Sequence, residues 1–165
     1  MKIEDLSVQQ LKNLIANYTD KGVTTGGVFP LDACQRELAR RQDTDFGVAE
    51  TFDAIIELAG ASETGATTYK ALHDRLSGGK PWKGNHTQQN LGNALGKVVA
   101  RCVEEGLPVL TVLVLPQGGT ITPEAMANIH GEARRQGVNT ALTPEDFYAE
   151  QFAAATRLIR ERRAE

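Results

Sequence analysis

The sequence predicts a mainly α-helical protein with a small β-hairpin, arranged as a modified winged-helix core with helical extensions at both ends. Apolar residues recur at helical spacing along most of the chain, which indicates a series of amphipathic helices. The segment 109–115 is instead rich in β-branched residues and leucine, and a Pro-Gln-Gly-Gly turn follows it. Three helices followed by a hairpin, with 120–122 as the return strand, is the order of a winged helix, in which the third helix enters the major groove of DNA.

Length and composition are consistent with one folded domain that carries helical extensions. The chain has 165 residues, of which 41% are hydrophobic and 24% are charged, and its net charge is −3. We expect an N-terminal helical extension at 1–43, a winged-helix-like core at 44–122, and C-terminal helices at 123–165 that pack on the core. The apolar runs are too short to span a membrane, and both cysteines lie on predicted apolar helix faces, which favours a reducing compartment. We therefore expect a cytoplasmic protein without membrane contact.

The N-terminal extension is expected to contain two helices. Ser7 is a plausible N-cap because Gln10 follows at the spacing of a capping box, and Gly22 is a suitable stop. Pro30 suits the first turn of the second helix. We interpret the polar side of this second helix as solvated surface, with a phosphate contact as the alternative; it comprises Arg36, Glu37, Arg40 and Arg41.

The predicted core begins with a helix over 49–59, whose outer face carries acidic residues that we expect to be solvated rather than catalytic or metal-binding. Thr67 or Thr68 should cap a short helix, and a long helix follows over 86–104. The strand at 109–115 is apolar on both faces except at Thr111, which suits a wing poorly and is better explained if later helices cover the strand. Pro123 and Thr143 mark the starts of two C-terminal helices.

A polar stripe on the long helix is the main candidate for a binding site. Side chains at spacings of three and four fall opposite its apolar face, and a basic segment leads into the helix. The stretch from Lys80 to Arg101 contains four basic residues and no acidic residue. Such side chains can bind base edges or phosphates. The candidate nucleic-acid-binding residues are Lys80, Trp82, Lys83, His86, Gln89, Asn90, Asn93, Lys97 and Arg101.

Each part of this candidate site has a simpler interpretation. Any half-exposed helix shows a polar stripe, although Asn, Gln and His are less typical of plain helix surface than Glu and Lys. Trp82 either stacks on a ligand or packs under the preceding turn, and packing is the more common outcome. Gly92 and Gly96 lie four residues apart on the flank of the helix, which predicts close approach by another helix or a backbone.

Three short motifs resemble the winged-helix part of the alkyltransferase-like DNA repair family. They are Thr-Thr-Tyr-Lys-Ala-Leu at 67–72, Asn-Leu-Gly-Asn-Ala at 90–94 and Gly-Leu-Pro-Val-Leu at 106–110, so the resemblance covers less than a third of the chain. The family's reactive cysteine lies in a Pro-Cys-His-Arg motif just beyond, whereas residues 109–115 contain no cysteine, histidine or arginine. The resemblance therefore implies DNA binding by a helix around Asn90 to Lys97, and it does not imply alkyl transfer.

No motif for catalysis, metal binding or cofactor binding stands out. The histidines His73, His86 and His130 lack ligand spacing, and there is no nucleophile elbow, phosphate loop or dinucleotide fingerprint. We expect no cofactor and no metal, and an enzyme is the less favoured class. A dispersed site, for example His73 and Asp74 facing His86, remains an alternative.

Three hypotheses follow, and the first is the preferred one. The protein is a non-enzymatic nucleic-acid-binding protein, with duplex DNA as the first candidate, that uses the helix over 86–104 and its basic approach. Alternatively, it is a protein-interaction module or inhibitor with a winged-helix-like core, which predicts an exposed apolar patch around Trp82 or the last helix. The third possibility is an enzyme with a dispersed site.

Overall fold

The computed structural model describes residues 1–41 and 44–163, and it is mainly α-helical, as predicted. The helices within this part of the chain are α1 (Val8–Lys21), α2 (Leu31–Arg41), α3 (Val48–Ala61), α4 (Tyr69–Ser77), α5 (Gly84–Glu104), α6 (Pro123–Arg135) and α7 (Pro144–Arg163). Two strands, β1 (Thr67–Thr68) and β2 (Val114–Leu115), and two short 3-10 helices, Ile3–Asp5 and Leu110–Leu113, complete the regular structure. No described helix is long and apolar enough to cross a membrane.

The chain forms two compact units, Met1–Asp43 and Thr44–Glu165. The predicted boundary at residue 43 falls outside the described residues. The second unit holds both the predicted core and the C-terminal helices, and every residue of the predicted nucleic-acid site belongs to it.

The first unit is a pair of packed helices whose ends follow local sequence signals. The Ser7 hydroxyl accepts a hydrogen bond from the Gln10 backbone N–H at 3.0 Å, and the Gln10 side chain accepts one from the Ser7 N–H at 2.7 Å. Gly22 ends α1 in the left-handed region, with φ of 65°. Leu11 and Cys34 are fully buried between the helices. These features confirm the predicted capping box and helix stop.

Glu37 departs from the prediction of an exposed polar side on α2. Only 7% of the residue is exposed. Its carboxylate accepts hydrogen bonds from the guanidinium groups of Arg40 and Arg41, with the shortest contact to each at 2.6 Å. The Arg40 hydrogen bond is the main reason why the pKa of Glu37 falls to about 2, and the Arg41 hydrogen bond adds to it. The two arginines are therefore engaged within the unit, Arg41 also by donating to the Glu4 carbonyl at 2.9 Å.

The second unit is built around the buried 3-10 helix Leu110–Leu113, which contacts α3, α5 and α7. The Tyr148 hydroxyl of α7 donates to the Val112 carbonyl at 2.9 Å, and the Gln151 side chain accepts from the Val109 N–H at 2.8 Å. Later helices thus cover the apolar segment, as its two-sided apolar character suggested. The largest fully buried apolar side chains of the unit are Phe52, Phe147, Ile55, Leu72, Leu91, Leu110, Leu113, Val98, Val112 and Val114.

The predicted β-hairpin is wrong. β2 pairs with β1, and the pairing is parallel, with Thr67 opposite Val114 and Thr68 opposite Leu115. The turn at 116–119 does form. A helix rather than a strand follows it, since the Thr122 hydroxyl accepts from the Ala125 N–H at 3.1 Å and caps the start of α6. Residues 120–122 therefore lead into α6 instead of forming a return strand, and the described residues contain no hairpin wing.

Candidate functional site

The long helix α5 divides the candidate surfaces of the second unit. One side is buried in the core through Leu91, Ala94, Val98 and Cys102. At 3.6 residues per turn, the predicted polar stripe lies on one flank of that buried side, and positions 88, 92 and 96 lie on the other flank. The two sets approach each other on the exposed side of the helix, because Gln89 of the stripe and Gly96 are seven residues apart and lie only ~20° apart around the helix axis.

The basic approach to α5 is exposed. Lys80, Lys83, His86 and Gln89 are all exposed, and the three lysines of the candidate site make no ion pair with any described residue. The Lys83 N–H donates to the Thr87 hydroxyl at 2.8 Å, which fixes the first turn of the helix. No described side chain caps this end of α5, and its first turn contains no acidic residue. The positive end of the helix dipole therefore faces the same side as the lysines.

Trp82 is anchored to the protein rather than free. Its ring packs edge-on against His73, with 5.2 Å between ring centroids, and His73 packs in turn against Phe46 at 6.0 Å. His73 is 4% exposed, whereas Trp82 retains 39% exposure. The packing interpretation of Trp82 thus describes one side of the ring, and the other side stays accessible.

Asn90 does not present its amide as the sequence suggested. Its Oδ1 accepts from the Asp45 N–H at 2.8 Å, and its Nδ2 donates to the Asp45 carboxylate at 3.0 Å. The Thr44 hydroxyl also donates to the Asn90 carbonyl at 3.0 Å. The oxygen and the nitrogen of the side-chain carboxamide therefore both bind the segment that leads into α3. Asp45 also brings a negative charge next to the stripe, which the local sequence did not show.

Arg101 is also occupied by contacts within the protein. Its guanidinium lies 4.0 Å from the centre of the Phe52 ring in a cation–π contact, and its Nε donates to the Glu105 carboxylate at 3.2 Å. Arg162 of α7 approaches the same ring at 5.8 Å. Asn93 and Lys97 are half-buried between Asn90 and Arg101. The stripe is consequently most accessible in its N-terminal part.

A cleft that the sequence did not predict lies on the other flank of α5. It has a volume of about 870 Å³ and is bounded by α4, α5, α6 and the turn after β2. Its lining residues are Tyr69, Lys70, Trp82, Gln88, Gly92, Leu95, Gly96, Val99, Thr111, Pro116, Gln117, Ala125, Asn128, Ile129, Glu132 and Arg135. Trp82 is the one residue of the predicted site that also lines the cleft.

The two helix glycines face this cleft. A Cβ at Gly92 would meet no described atom within 4 Å, and one at Gly96 would meet only the Glu132 carboxylate oxygen, at 3.8 Å. The predicted close approach of a helix or backbone is therefore wrong for Gly92. The spacing of the two glycines could have indicated a surface on this flank of α5. It could not indicate the cleft, because the other side of the cleft is formed by α6, about thirty or more residues further along the chain.

The polar groups of the cleft differ in how well they are satisfied. Glu132 accepts from Arg135 at 2.6 Å and from the Gln136 side chain at 3.2 Å, so its charge is balanced in place. The Lys70 ammonium pairs with Asp74 at 3.2 Å. Thr111 is 5% exposed, and its hydroxyl finds no hydrogen-bond partner among the residues described. Burial raises the pKa of Tyr69.

The cysteines and the histidines of the suggested dispersed site differ in burial. Cys34 and Cys102 are free and buried, and burial raises the pKa of both thiols, which disfavours the nucleophilic thiolate. In the part of the chain that the structure describes, no group of three or more His, Cys, Asp or Glu residues could hold a metal ion. His73 of the suggested dispersed site is buried, whereas His86 is exposed.

Comparisons with protein-family models, with curated proteins and with solved structures found no match.

Proposed function

We propose that this protein binds nucleic acid through the basic approach and the exposed start of α5. The observation that carries the proposal is the exposure of Lys80, Lys83, His86 and Gln89 within ten residues of sequence, with no carboxylate partner for either lysine among the described residues. Unpaired ammonium groups can displace the counterions of a phosphate backbone, which is the main source of affinity in nucleic-acid binding. Lys97 extends this surface along the helix.

The first turn of α5 supports the same proposal. The initial backbone N–H groups of a helix lack partners within the helix and carry partial positive charge, so they favour phosphate oxygens. Here they lie next to Lys83 and are not capped by a described side chain. His86 and Gln89 follow on the exposed side, where they can donate to phosphates or base edges.

In this proposal α3, α4 and α5 act as a helix-turn-helix type of unit, with α5 as the reading helix and without a hairpin wing. The α3 helix packs against both α4 and α5, which fixes the orientation of α5. Duplex DNA is the first target to test, because the exposed N-terminal part of a helix can enter the major groove and contact base edges there. The free, buried cysteines agree with a cytoplasmic location.

The alternative of a protein-interaction module has less support. It requires an exposed apolar patch around Trp82 or the last helix, yet no large apolar residue within Pro144–Arg163 is exposed. Trp82 itself is partly covered by its contact with His73. Nucleic-acid binding therefore accounts better for the exposed residues of the second unit.

The proposal is tested by fluorescence anisotropy of labelled duplex DNA, single-stranded DNA and RNA with a charge-matched pair of variants. Lys80→Ala combined with Lys83→Ala removes two ammonium groups from the proposed surface. Lys12→Ala combined with Lys21→Ala removes two exposed ammonium groups from the first unit and serves as the control.

We expect the first double variant to weaken binding at all sequences and to reduce the slope of log K against log salt by about 2, since each lysine that contacts a phosphate contributes about 1. The control should bind as the unmodified protein does. Equal affinities of the two double variants would show that binding, if any, does not use the approach to α5.

A further inference from the structure

We propose that the cleft between α4, α5 and α6 is a binding site for a nucleobase, either of a free nucleoside or nucleotide or of a single strand. This goes beyond the proposed function, because none of Lys80, Lys83, His86 and Gln89, the residues of the proposed nucleic-acid surface, lines the cleft. The volume of about 870 Å³ is within the range of roughly 300–1,000 Å³ that small-ligand sites occupy in proteins.

The hydroxyl of Thr111 indicates that the site takes a polar ligand. Thr111 lines the cleft, is 5% exposed, and has no hydrogen-bond partner among the described residues. A buried hydroxyl that makes no hydrogen bond is costly, so such groups are normally paired. The hydroxyl oxygen is closed off from solvent, so a ligand supplies that partner by drawing the Thr111 side chain toward the cleft, and it must then carry a donor or acceptor.

The wall formed by α5 indicates a flat ligand. Gly92 and Gly96 remove two side chains on the same flank of the helix, and a Cβ at Gly92 would meet open space. The protein's own packing therefore does not require glycine at residue 92, although glycine in a helix costs stability. Beside the glycines, α5 contributes Leu95 and Val99 to the lining and α6 contributes Ala125 and Ile129, so apolar groups from two helices are available to the faces of a planar ring.

The cleft is also lined by hydrogen-bonding groups that suit base edges. Gln88, Gln117 and Asn128 contribute three carboxamides, each of which both donates and accepts. Carboxamides pair with the mixed donor and acceptor edges of nucleobases, as Asn and Gln do with adenine. Trp82 adds an aromatic ring at the margin, and base–aromatic stacking is a general contribution to the binding of unpaired bases.

The charges of the cleft fit a neutral ring better than a charged one. The only carboxylate among the lining residues, Glu132, is neutralised by Arg135 and also bonded by Gln136. Lys70 is likewise paired, with Asp74 at 3.2 Å, so the lining carries little net charge. A nucleobase combines flat apolar faces with polar edges, which match the apolar side chains and the carboxamides that line the cleft.

The chain contains one tryptophan, and it lies at the cleft, so the single indole N–H resonance in an NMR spectrum reports binding directly. We would titrate the intact protein with adenosine, guanosine, cytidine and uridine, and separately with single-stranded oligonucleotides. Gly92→Leu places a large side chain in the cleft, and Thr111→Val removes the hydroxyl with little change of shape. Ala127→Leu adds the same side chain to an exposed position of α6 outside the cleft and is the control.

Saturable shifts with a nucleoside would identify a free base as the ligand, and shifts with the oligonucleotide alone would identify a base within a strand. In either case Gly92→Leu should weaken binding at least tenfold and Thr111→Val several-fold, as expected for one lost hydrogen bond, while Ala127→Leu should have no effect. Absence of saturable shifts with every nucleoside and oligonucleotide would overturn the proposal, as would binding that survives both cleft variants. Thr111→Val decides the matter if Gly92→Leu does not fold. Lys80→Ala with Lys83→Ala should leave nucleoside binding unchanged, which distinguishes the cleft from the proposed nucleic-acid surface at the start of α5.

Discussion

Replacing Thr111 with valine should stabilise the protein, because the threonine hydroxyl is buried without a hydrogen-bond partner in the described chain. Leaving such a group unpaired costs about 1–3 kcal/mol. The hydroxyl oxygen is closed off from solvent, and taking the lower end of this range we expect a gain of about 1 kcal/mol. For a chain of this size that corresponds to a rise in Tm of about 2–4 °C.

Thr51 provides the matched control for this substitution. It is also fully buried, but its hydroxyl donates to the Gly47 carbonyl at 2.7 Å. Valine at residue 51 loses that hydrogen bond, whose net value is about 1 kcal/mol. The same chemical change should therefore have opposite effects at the two sites, with the unfolding free energies of the variants differing by about 2 kcal/mol.

The assay is urea unfolding followed by tryptophan fluorescence. Trp82 belongs to the same unit as both threonines, so the signal reports the unfolding of that unit. If Thr111→Val lowers the unfolding free energy as much as Thr51→Val does, the hydroxyl of Thr111 has a partner, and its assignment as an unsatisfied group is wrong.

Three further substitutions test other contacts. Glu37→Gln should destabilise α2 at neutral pH; because the folded pKa of Glu37 is lowered to about 2 from 4.5, chiefly by Arg40, the difference from the unmodified protein should shrink as the pH falls through that interval. Amide hydrogen exchange of α2 measures it. Asn90→Ala should speed hydrogen exchange at the Asp45 N–H, which loses its acceptor, and should leave nucleic-acid affinity unchanged. Gly92→Ala should raise the unfolding free energy by about 1 kcal/mol, as measured by urea unfolding, because alanine favours the helix and its Cβ meets open space.

Each of these expectations has a contrary outcome. A destabilisation by Glu37→Gln that stays constant between pH 4.5 and about 2 would contradict the lowered carboxyl pKa. If Asn90→Ala lost nucleic-acid affinity while Gln89→Ala kept it, Asn90 rather than Gln89 would be the residue that contacts the nucleic acid. A destabilised Gly92→Ala would mean that the glycine is needed for packing.

The parts of the fold that depend on local signals were predictable. Ser7 with Gln10, Thr68, and Thr122 with Pro123 each specify a helix start through side-chain and backbone groups within four residues. The hairpin was not predictable in this way. A short apolar segment followed by a glycine turn fits a hairpin, but the pairing of β2 with β1 joins residues 47 positions apart along the chain.

The candidate site shows the same division. The exposure of Lys83 and His86 follows from their place before and within the first turn of an amphipathic helix. The engagement of Asn90 by Asp45, and of Arg101 by Phe52, depends on segments more than forty residues away. Helical periodicity identifies which side chains point away from the core of their own helix, but it does not show what another segment brings against them.

The most direct test of nucleic-acid binding is the salt dependence of the unmodified protein's affinity for duplex DNA, measured by fluorescence anisotropy from low to physiological ionic strength. We expect binding whose log K falls linearly with log salt, with a slope of about −2 to −3 if Lys80, Lys83 and Lys97 contact phosphates. Absence of binding at the lowest salt concentration, or an affinity that does not change with salt, would contradict the proposal that this surface of α5 binds DNA.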